Sequence, residues 1–505
     1  MAKILIYKID FCINLDIIKY SYEAATLSFK DTPLSFYNQT YKEASVMNIR
    51  EIPKMDINDG HLTFDGHDLT EIAEKYGSPI YICSEKRISE NINEVTEAFR
   101  KYHPNTSIHY ASKAETTLAT LQVIQKAGCD LEVNSGGELY IGLKAGFKGS
   151  QIVFNGVAKS VAEIEMAITN DIKSINVDSE YELNRIIETA KRLDKCASVI
   201  IRIVPDVASG VASGIQTGTH ECKFGTMMDD VQEMIELCLR ESRYVHLKGF
   251  HLHVGTQTYN LRSFVDSFNI MLDFCTTMKD RTGYMPEILD IGGGLPIPYF
   301  IDVSASQYIP HNLYEMLRGN LSTSEIAEAV AGTLHDHRGG FSRCELVIEP
   351  GRKIVGDAFV MVSRVENYKY RRLTDETWAM LDAGLNVMSE VKNYHWYFPM
   401  VCANKITEPH TKSVKFGGPL CESGDVWMDY ENHSELPDYR LMPESLEPGD
   451  YIAMLETGAY GTSMMNRYNG RPMTGVVMIR EDGSELVTRP PENYESLIRD
   501  EISLN

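Results

Sequence analysis

The chain has 505 residues, and 49 basic against 71 acidic side chains leave a formal net charge of −22. That balance argues against a broad nucleic-acid footprint and suits a soluble protein whose copies are kept apart by charge. Apolar residues make up 43% of the chain, enough for sizeable cores, yet no apolar run approaches the roughly 18 residues of a membrane span.

The N-terminus, Met1-Ala-Lys-Ile-Leu-Ile-Tyr, is a poor secretory signal, because its short apolar run is broken by Lys8 and Asp10. The ten cysteines are scattered, with no C-x-x-C pair. They read as small core hydrophobes in a reducing cytoplasm rather than a disulfide framework. Residues 1–55 show no clear period and form an extension without an assigned role; a packed arm and a disordered leader are both open. From 56 the pattern sharpens. Residues 61–66 read as a strand and turn. Residues 69–77 have helical spacing and end on Gly77, a suitable cap. Residues 79–83 read as another strand. The segment 56–100 is expected to contribute its strands to a β-rich domain farther along.

Strand candidates then recur at 107–111, 131–134, 151–154, 174–177, 198–204, 246–253, 287–291 and 344–349. Amphipathic helical stretches lie between most of them, at 116–127, 137–145, 160–169, 180–193, 228–239, 261–278 and 324–335. The strands are short and apolar, as expected when both faces are buried. Eight such units over 101–356 match an α/β fold of the (β/α)8 barrel, or TIM, type. An open doubly wound sheet usually carries G-x-G-x-x-G after its first strand, and none is there. After Gly356 the texture changes to alternating strands and turn-rich connections, which predicts a β-rich second domain over 357–490. Residues 491–505 are a polar tail.

In such a barrel the reactive groups sit where strands end. Lys113 ends the first strand. It is either half of a salt bridge or a Schiff-base lysine whose pKa is depressed by burial. Gly292-Gly293-Gly294 ends the seventh strand and Gly351-Arg352 follows the eighth, in the corner where barrels of this type seat a phosphate. Glu349 ends the eighth strand, either as a partner for Arg352 or as the carboxylate that keeps a pyridinium nitrogen protonated. His251 and His253 share one face of the sixth strand. No second ligand cluster completes them as a metal site, so no metal is expected. An imidazole lying on a flat cofactor is the better functional reading. Cys421 lies in a polar turn beside Glu422, where it could give or take a proton.

Taken in order, these motifs are familiar. Tyr110-Ala-Ser-Lys113-Ala, Ser135-Gly-Gly-Glu-Leu139, Val153-Phe-Asn-Gly-Val157, Lys223-Phe-Gly225 and His251-Leu-His253-Val-Gly-Thr-Gln257 come first. Asp290-Ile-Gly-Gly-Gly294, Glu349-Pro-Gly-Arg352, Gly418-Pro-Leu-Cys-Glu-Ser-Gly-Asp425 and Tyr468-Asn-Gly-Arg-Pro472 follow. The chain resembles the fold-type III, pyridoxal-phosphate-dependent amino-acid decarboxylases over about 59–479, and within them the diaminopimelate and D-ornithine/D-lysine decarboxylases. The resemblance implies an alanine-racemase-like barrel plus β domain and pyridoxal 5'-phosphate as cofactor. It implies that Lys113 carries the cofactor and that His253 stacks on its ring while Glu349 holds its nitrogen. Gly293, Gly294, Gly351, Arg352 and Tyr468 are implied to hold the phosphate. Cys421 is implied as a proton donor and Glu422 as a ligand for the substrate's distal ammonium, both reaching a partner's pocket in a homodimer.

Three departures from the family pattern stand out. Cys222 replaces a serine before Lys-Phe-Gly, a weaker hydrogen-bonder. Glu132 replaces an aspartate three residues before Ser135. Glu390 stands where diaminopimelate decarboxylases carry an arginine that grips the substrate's distal carboxylate. A glutamate there repels a carboxylate and favours an ammonium, so Glu390 and Arg352 are expected substrate ligands and a D-ornithine- or D-lysine-like substrate is the expected one. Diaminopimelate, with L-lysine as product, and a siderophore or antibiotic precursor are the alternatives. An amino-acid racemase would need a second base. A non-catalytic regulatory homologue would have lost Lys113, Glu349 or Cys421.

Overall fold

A computed structural model describes residues 49–205, 222–302, 304, 309–430 and 436–504. Most of the predicted N-terminal extension, residues 1–48, lies outside them. Eight parallel strands form a closed barrel: Thr106–Ala111, Asp130–Val133, Ile152–Phe154, Ser174–Val177, Ala197–Val204, Val245–His251, Ile288–Asp290 and Glu345–Ile348. Each pairs with the next, and Leu346 of the eighth pairs with Thr106 of the first, which closes the ring. Their side chains are almost all buried, which is why they read as apolar runs without alternation.

An outer helix follows each of the first seven strands, with those after strands four and seven at Glu180–Leu193 and Thr323–Asp336, the latter preceded by a short helix at His311–Arg318. The eighth position is filled differently from the sequence expectation. Strand eight turns directly into a four-residue helix, Arg352–Val355, and leaves the barrel. The missing outer helix comes from upstream: Glu85–Tyr102 packs between Thr323–Asp336 and Leu118–Lys126. Ser84 caps it by accepting from Arg87 N–H, and Ile88, Ile92, Val95 and Phe99 form its buried stripe. Each of these side chains stabilises the packing by about 1.5–3 kcal/mol.

Beyond the barrel a β-sheet is built around the 13-residue strand Phe359–Arg371. Ile80–Ser84 lies inside this sheet, antiparallel to Phe359–Arg371 and parallel to Gly475–Ile479. His61–Phe64 does not join it. It pairs with Met55–Asn58 and His67–Asp68 in a separate three-stranded sheet. The described residues pack as one unit. Among them no helix is long and apolar enough to cross a membrane.

Candidate active site

A cavity of about 320 Å³ opens at the C-terminal ends of the barrel strands. Lys113, Asn134, Asn155, Arg202, His251, His253, Glu349 and Arg352 line it from the barrel. Glu390, Tyr394, Trp396 and Tyr460 line it from the β domain.

Barrel register brings the first group together. His251 pairs with Asp290 across strands six and seven, and Asp290 pairs with Val347, two residues before Glu349. Gly249 permits this approach: a Cβ there would lie 1.8 Å from the Ile288 carbonyl oxygen. Glu349 accepts from Asn155 Nδ2 at 2.9 Å and from His251 Nε2 at 3.2 Å. Burial pushes its carboxyl up, but the hydrogen bond from His251 and the Lys113 cation more than offset that, and the shift is downward. Glu349 is therefore an anion facing the cavity. Burial keeps His251 and His253 neutral. Gly293 N–H donates to His253 Nδ1 at 3.0 Å, which leaves the ring proton on Nε2.

Lys113 departs from the sequence expectation. Burial pulls its ammonium down, but Glu132, Tyr460 and Glu349 outweigh burial and the shift is upward. Free Lys113 is thus a cation that must lose a proton before it attacks a carbonyl. Glu132 is the carboxyl whose charge raises the Lys113 ammonium most. Burial raises the Glu132 carboxyl to about 7 even though Lys113 lowers it, and Asn155 and Asn134 donate to it at 2.8 and 3.1 Å.

The glycine corner is a close contact of three loops. A Cβ on Gly293 would lie 2.2 Å from the Glu349 carbonyl oxygen, and one on Gly294, at φ +96°, 2.4 Å from that of Gly255. Gly351 sits against Ala111 and Ala114. Buried Thr258 Oγ1 has no partner beside Gly294. A side-chain-free corner with an unspent hydroxyl suits a phosphate. With an amine at Lys113, an anion at Glu349 and a neutral imidazole at His253, the residues present fit pyridoxal phosphate.

Arg352 and Glu390 form the opposite end. Arg352 donates to Tyr299 Oη at 2.6 Å and to Glu390 Oε1 at 3.0 Å, and its guanidinium lies 4.0 Å from the Trp396 ring centroid. Burial lowers its pKa, but Tyr299 and Glu390 raise it further and it stays cationic. The Glu390 carboxyl is raised, because burial outweighs Arg352. Both residues are buried, and Glu390 Oε2 and Arg352 Nε have no partner. This ion pair ties Arg352 to the β-domain wall of the cavity rather than to the glycine corner.

Six sequence candidates are not on the wall of this cavity: Gly293, Gly294 and Gly351 of the glycine corner, and Cys421, Glu422 and Tyr468. Cys421 is exposed. Glu422 pairs with Lys392 at 2.8 Å, and Tyr468, 49% exposed, lines a second cavity beside Glu422. The tyrosines on the wall of the first cavity are Tyr394 and Tyr460, the latter held by its N–H to the Ala114 carbonyl at 2.7 Å. Sequence reading missed Tyr460, Trp396, Tyr394, Asn155 and Arg202. Asn155 and Arg202 could have been found as polar residues at strand ends; the other three have no strand-end signal.

The family model described as the pyridoxal binding domain of pyridoxal-dependent decarboxylases matches residues 88–356. The chain is 34% identical over 454 residues to the diaminopimelate decarboxylase of Methanocaldococcus jannaschii, covering 89% of this chain and 96% of that one. It is 32% identical over 447 residues to that of Bacillus subtilis, covering 87% and 95%. A crystal structure of the M. jannaschii enzyme in complex with L-lysine superposes with a TM-score of 0.79 at 33% identity, covering 90% of this chain and 98% of that one.

Proposed function

The chain belongs to the pyridoxal-dependent decarboxylases, and we propose that within them it removes the α-carboxylate of a diamino acid of the diaminopimelate type. It is a pyridoxal-phosphate-dependent amino-acid decarboxylase. The observation that carries the substrate proposal from the site is the pairing, across one cavity, of a cofactor end at Lys113 and Glu349 with a charged far end at Arg352 and Glu390.

Bound pyridoxal phosphate supplies the electron sink for the pair released when the bond from Cα to the carboxylate breaks. Lys113 would hold its aldehyde carbon, His253 its ring face, Glu349 its nitrogen, and Gly293, Gly294 and Gly351 its phosphate. Glu132 accepts the proton that Lys113 Nζ must shed. The barrel interior and the Trp396 wall exclude water around the reacting carbon. Carbon dioxide leaves, and a proton returns to Cα from Lys113 or from Cys421.

Relatives named diaminopimelate decarboxylase support that substrate, and the cationic Arg352 offers a partner for a distal carboxylate. One observation favours a second reading. Glu390 already neutralises Arg352 and keeps a free, buried Oε2, which suits a distal ammonium, as in D-ornithine or D-lysine. The test is carbon dioxide release from meso-diaminopimelate, D-ornithine, D-lysine and their L-forms with added pyridoxal phosphate. Release from meso-diaminopimelate is expected. Release only from D-ornithine or D-lysine would replace the first reading by the second.

The positions of Cys421, Glu422 and Tyr468 outside their own cavity support a homodimer in which each chain completes the other's site. Mixing Lys113→Ala with Cys421→Ala chains should restore about a quarter of wild-type activity, because a closed two-fold dimer of one of each holds one intact site. No restoration would remove the shared-site proposal.

A further inference from the structure

The barrel interior beneath the cavity holds more negative charge than it can keep. Three carboxyls face it, Glu132 from strand two, Asp290 from strand seven and Glu349 from strand eight, all buried. Two cations face them, Lys113 after strand one and Arg202 from strand five, and Arg202 is shared with Asp178, the carboxylate that acts on it most. His251 and His253, from strand six, are neutral. One carboxyl in this set must therefore carry a proton, since an uncompensated buried charge is far costlier than a neutral acid.

The donors decide which one. Glu349 accepts from His251 and Asn155, and Glu132 accepts from Asn155 and Asn134. Asp290 has a single donor, the Gly292 N–H at 2.9 Å on Oδ1, and its Oδ2 has no donor. Yet ligand atoms of Asp290, Glu349 and His251 lie within 4.8 Å of one another. Two carboxylates that close repel each other, and a proton carried by one and donated to the other relieves the repulsion.

We propose that Asp290 is a positioning residue that acts through Glu349: un-ionised, it donates its carboxyl proton to the Glu349 carboxylate and holds that anion in place for the cofactor's ring nitrogen. This rests on the decarboxylase reading above. Burial first, then the neighbouring Glu349, raise the Asp290 carboxyl well above the usual carboxylate range, in the same direction. With three donors on it, Glu349 is a weak base. The proton shared with a ring nitrogen then stays on the ring, where an electron sink needs it. An ionised Asp290 would do the opposite and drive a proton onto Glu349.

The two charge states predict opposite outcomes for Asp290→Asn. An asparagine is a neutral donor that can still accept from Gly292 N–H. Under the proposal, Asp290→Asn keeps carbon dioxide release within about threefold of wild type. It also leaves the pH dependence of the bound cofactor's absorbance unchanged. Asp290→Ala lowers release by about tenfold or more, the usual worth of one hydrogen bond to a charged group, and shifts that absorbance toward the unprotonated ring. Infrared spectroscopy of the protein without cofactor gives an independent readout. The difference between wild type and Asp290→Asn at neutral pH should show the carbonyl stretch of an un-ionised carboxylic acid. Absence of that band, or an Asp290→Asn variant as impaired as Asp290→Ala, would overturn the proposal. If Asp290→Ala does not fold, the band and the asparagine variant still decide. Loss of all cofactor-dependent decarboxylation in wild type would count against the decarboxylase reading and leave the band to be read on its own.

Discussion

Lys113, His251 and Glu349 reach the cavity from barrel strands, whereas Glu390, Tyr394, Trp396 and Tyr460 reach it from a four-residue helix and loops of the β domain. The barrel side is locked by register: His251 beside Asp290, and Glu349 N–H on the Gly292 carbonyl at 2.8 Å. The β-domain side is held by a few long-range contacts, such as the Arg352–Glu390 pair and the Tyr460 N–H to Ala114. A register-locked wall tolerates little change without breaking the barrel. A loop wall can exchange one charged residue for another and keep the fold. The proposed function thus puts the cofactor's anchor residues on the barrel and Glu390, at the proposed substrate's far end, on the β domain.

Mutations on each wall test this division. The largest effect is expected at Lys113. Lys113→Ala should lower carbon dioxide release by about a thousandfold or more, as removal of a nucleophile does. Loss by less than about tenfold would mean that another amine serves. Next is Glu349→Gln, expected to cost about a hundredfold, the scale of one preorganised electrostatic partner, while borohydride still fixes the cofactor to the protein. If capture is lost as well, Glu349 also builds the binding site. On the other wall, Glu390→Ala strands a buried guanidinium and should destabilise the fold by about 3–5 kcal/mol in denaturant melts. Glu390→Gln keeps a hydrogen bond to Arg352 and should shift preference toward substrates with a distal carboxylate by about tenfold. A change in cofactor affinity instead would blur the division between the walls.

The smallest effect is a matter of pH. Glu132, the proposed acceptor of the Lys113 proton, is ionised only above about 7. Cofactor loading should therefore slow as pH falls through about 7, and Glu132→Gln should flatten that dependence. A profile unchanged by Glu132→Gln would assign the proton to another group.

The same division explains what was legible in the sequence. Short strands buried on both faces announce themselves as apolar runs, so all eight barrel strands and the residues at their ends could be read. The glycine corner was legible too, because only glycine tolerates 2.2 to 2.4 Å approaches by backbone. The Glu85–Tyr102 helix was overlooked although Ile88, Ile92, Val95 and Phe99 mark its stripe; a barrel counted from its first strand does not look upstream for its last helix. Tyr460 carries no local signal in the sequence, whereas Tyr468 stands out only through the motif that the family resemblance rests on. Tyr460 reaches the cavity through a positive φ of 61° and a bond to the far side of the barrel rim. Of the two sequence readings of Lys113, the depressed lysine is the one its charge state does not match, for a related reason. Burial alone lowers a lysine, but Glu132 and Glu349 arrive from other strands and reverse the sign.

The central claim is that the cofactor sits on Lys113 between Glu349 and the glycine corner. Borohydride reduction of the protein loaded with pyridoxal phosphate, followed by digestion and mass spectrometry, tests it most directly. The account predicts one modified peptide, carrying the reduced cofactor on Lys113 and absent from Lys113→Ala. A label on any other lysine, or none on the wild-type protein, would contradict it.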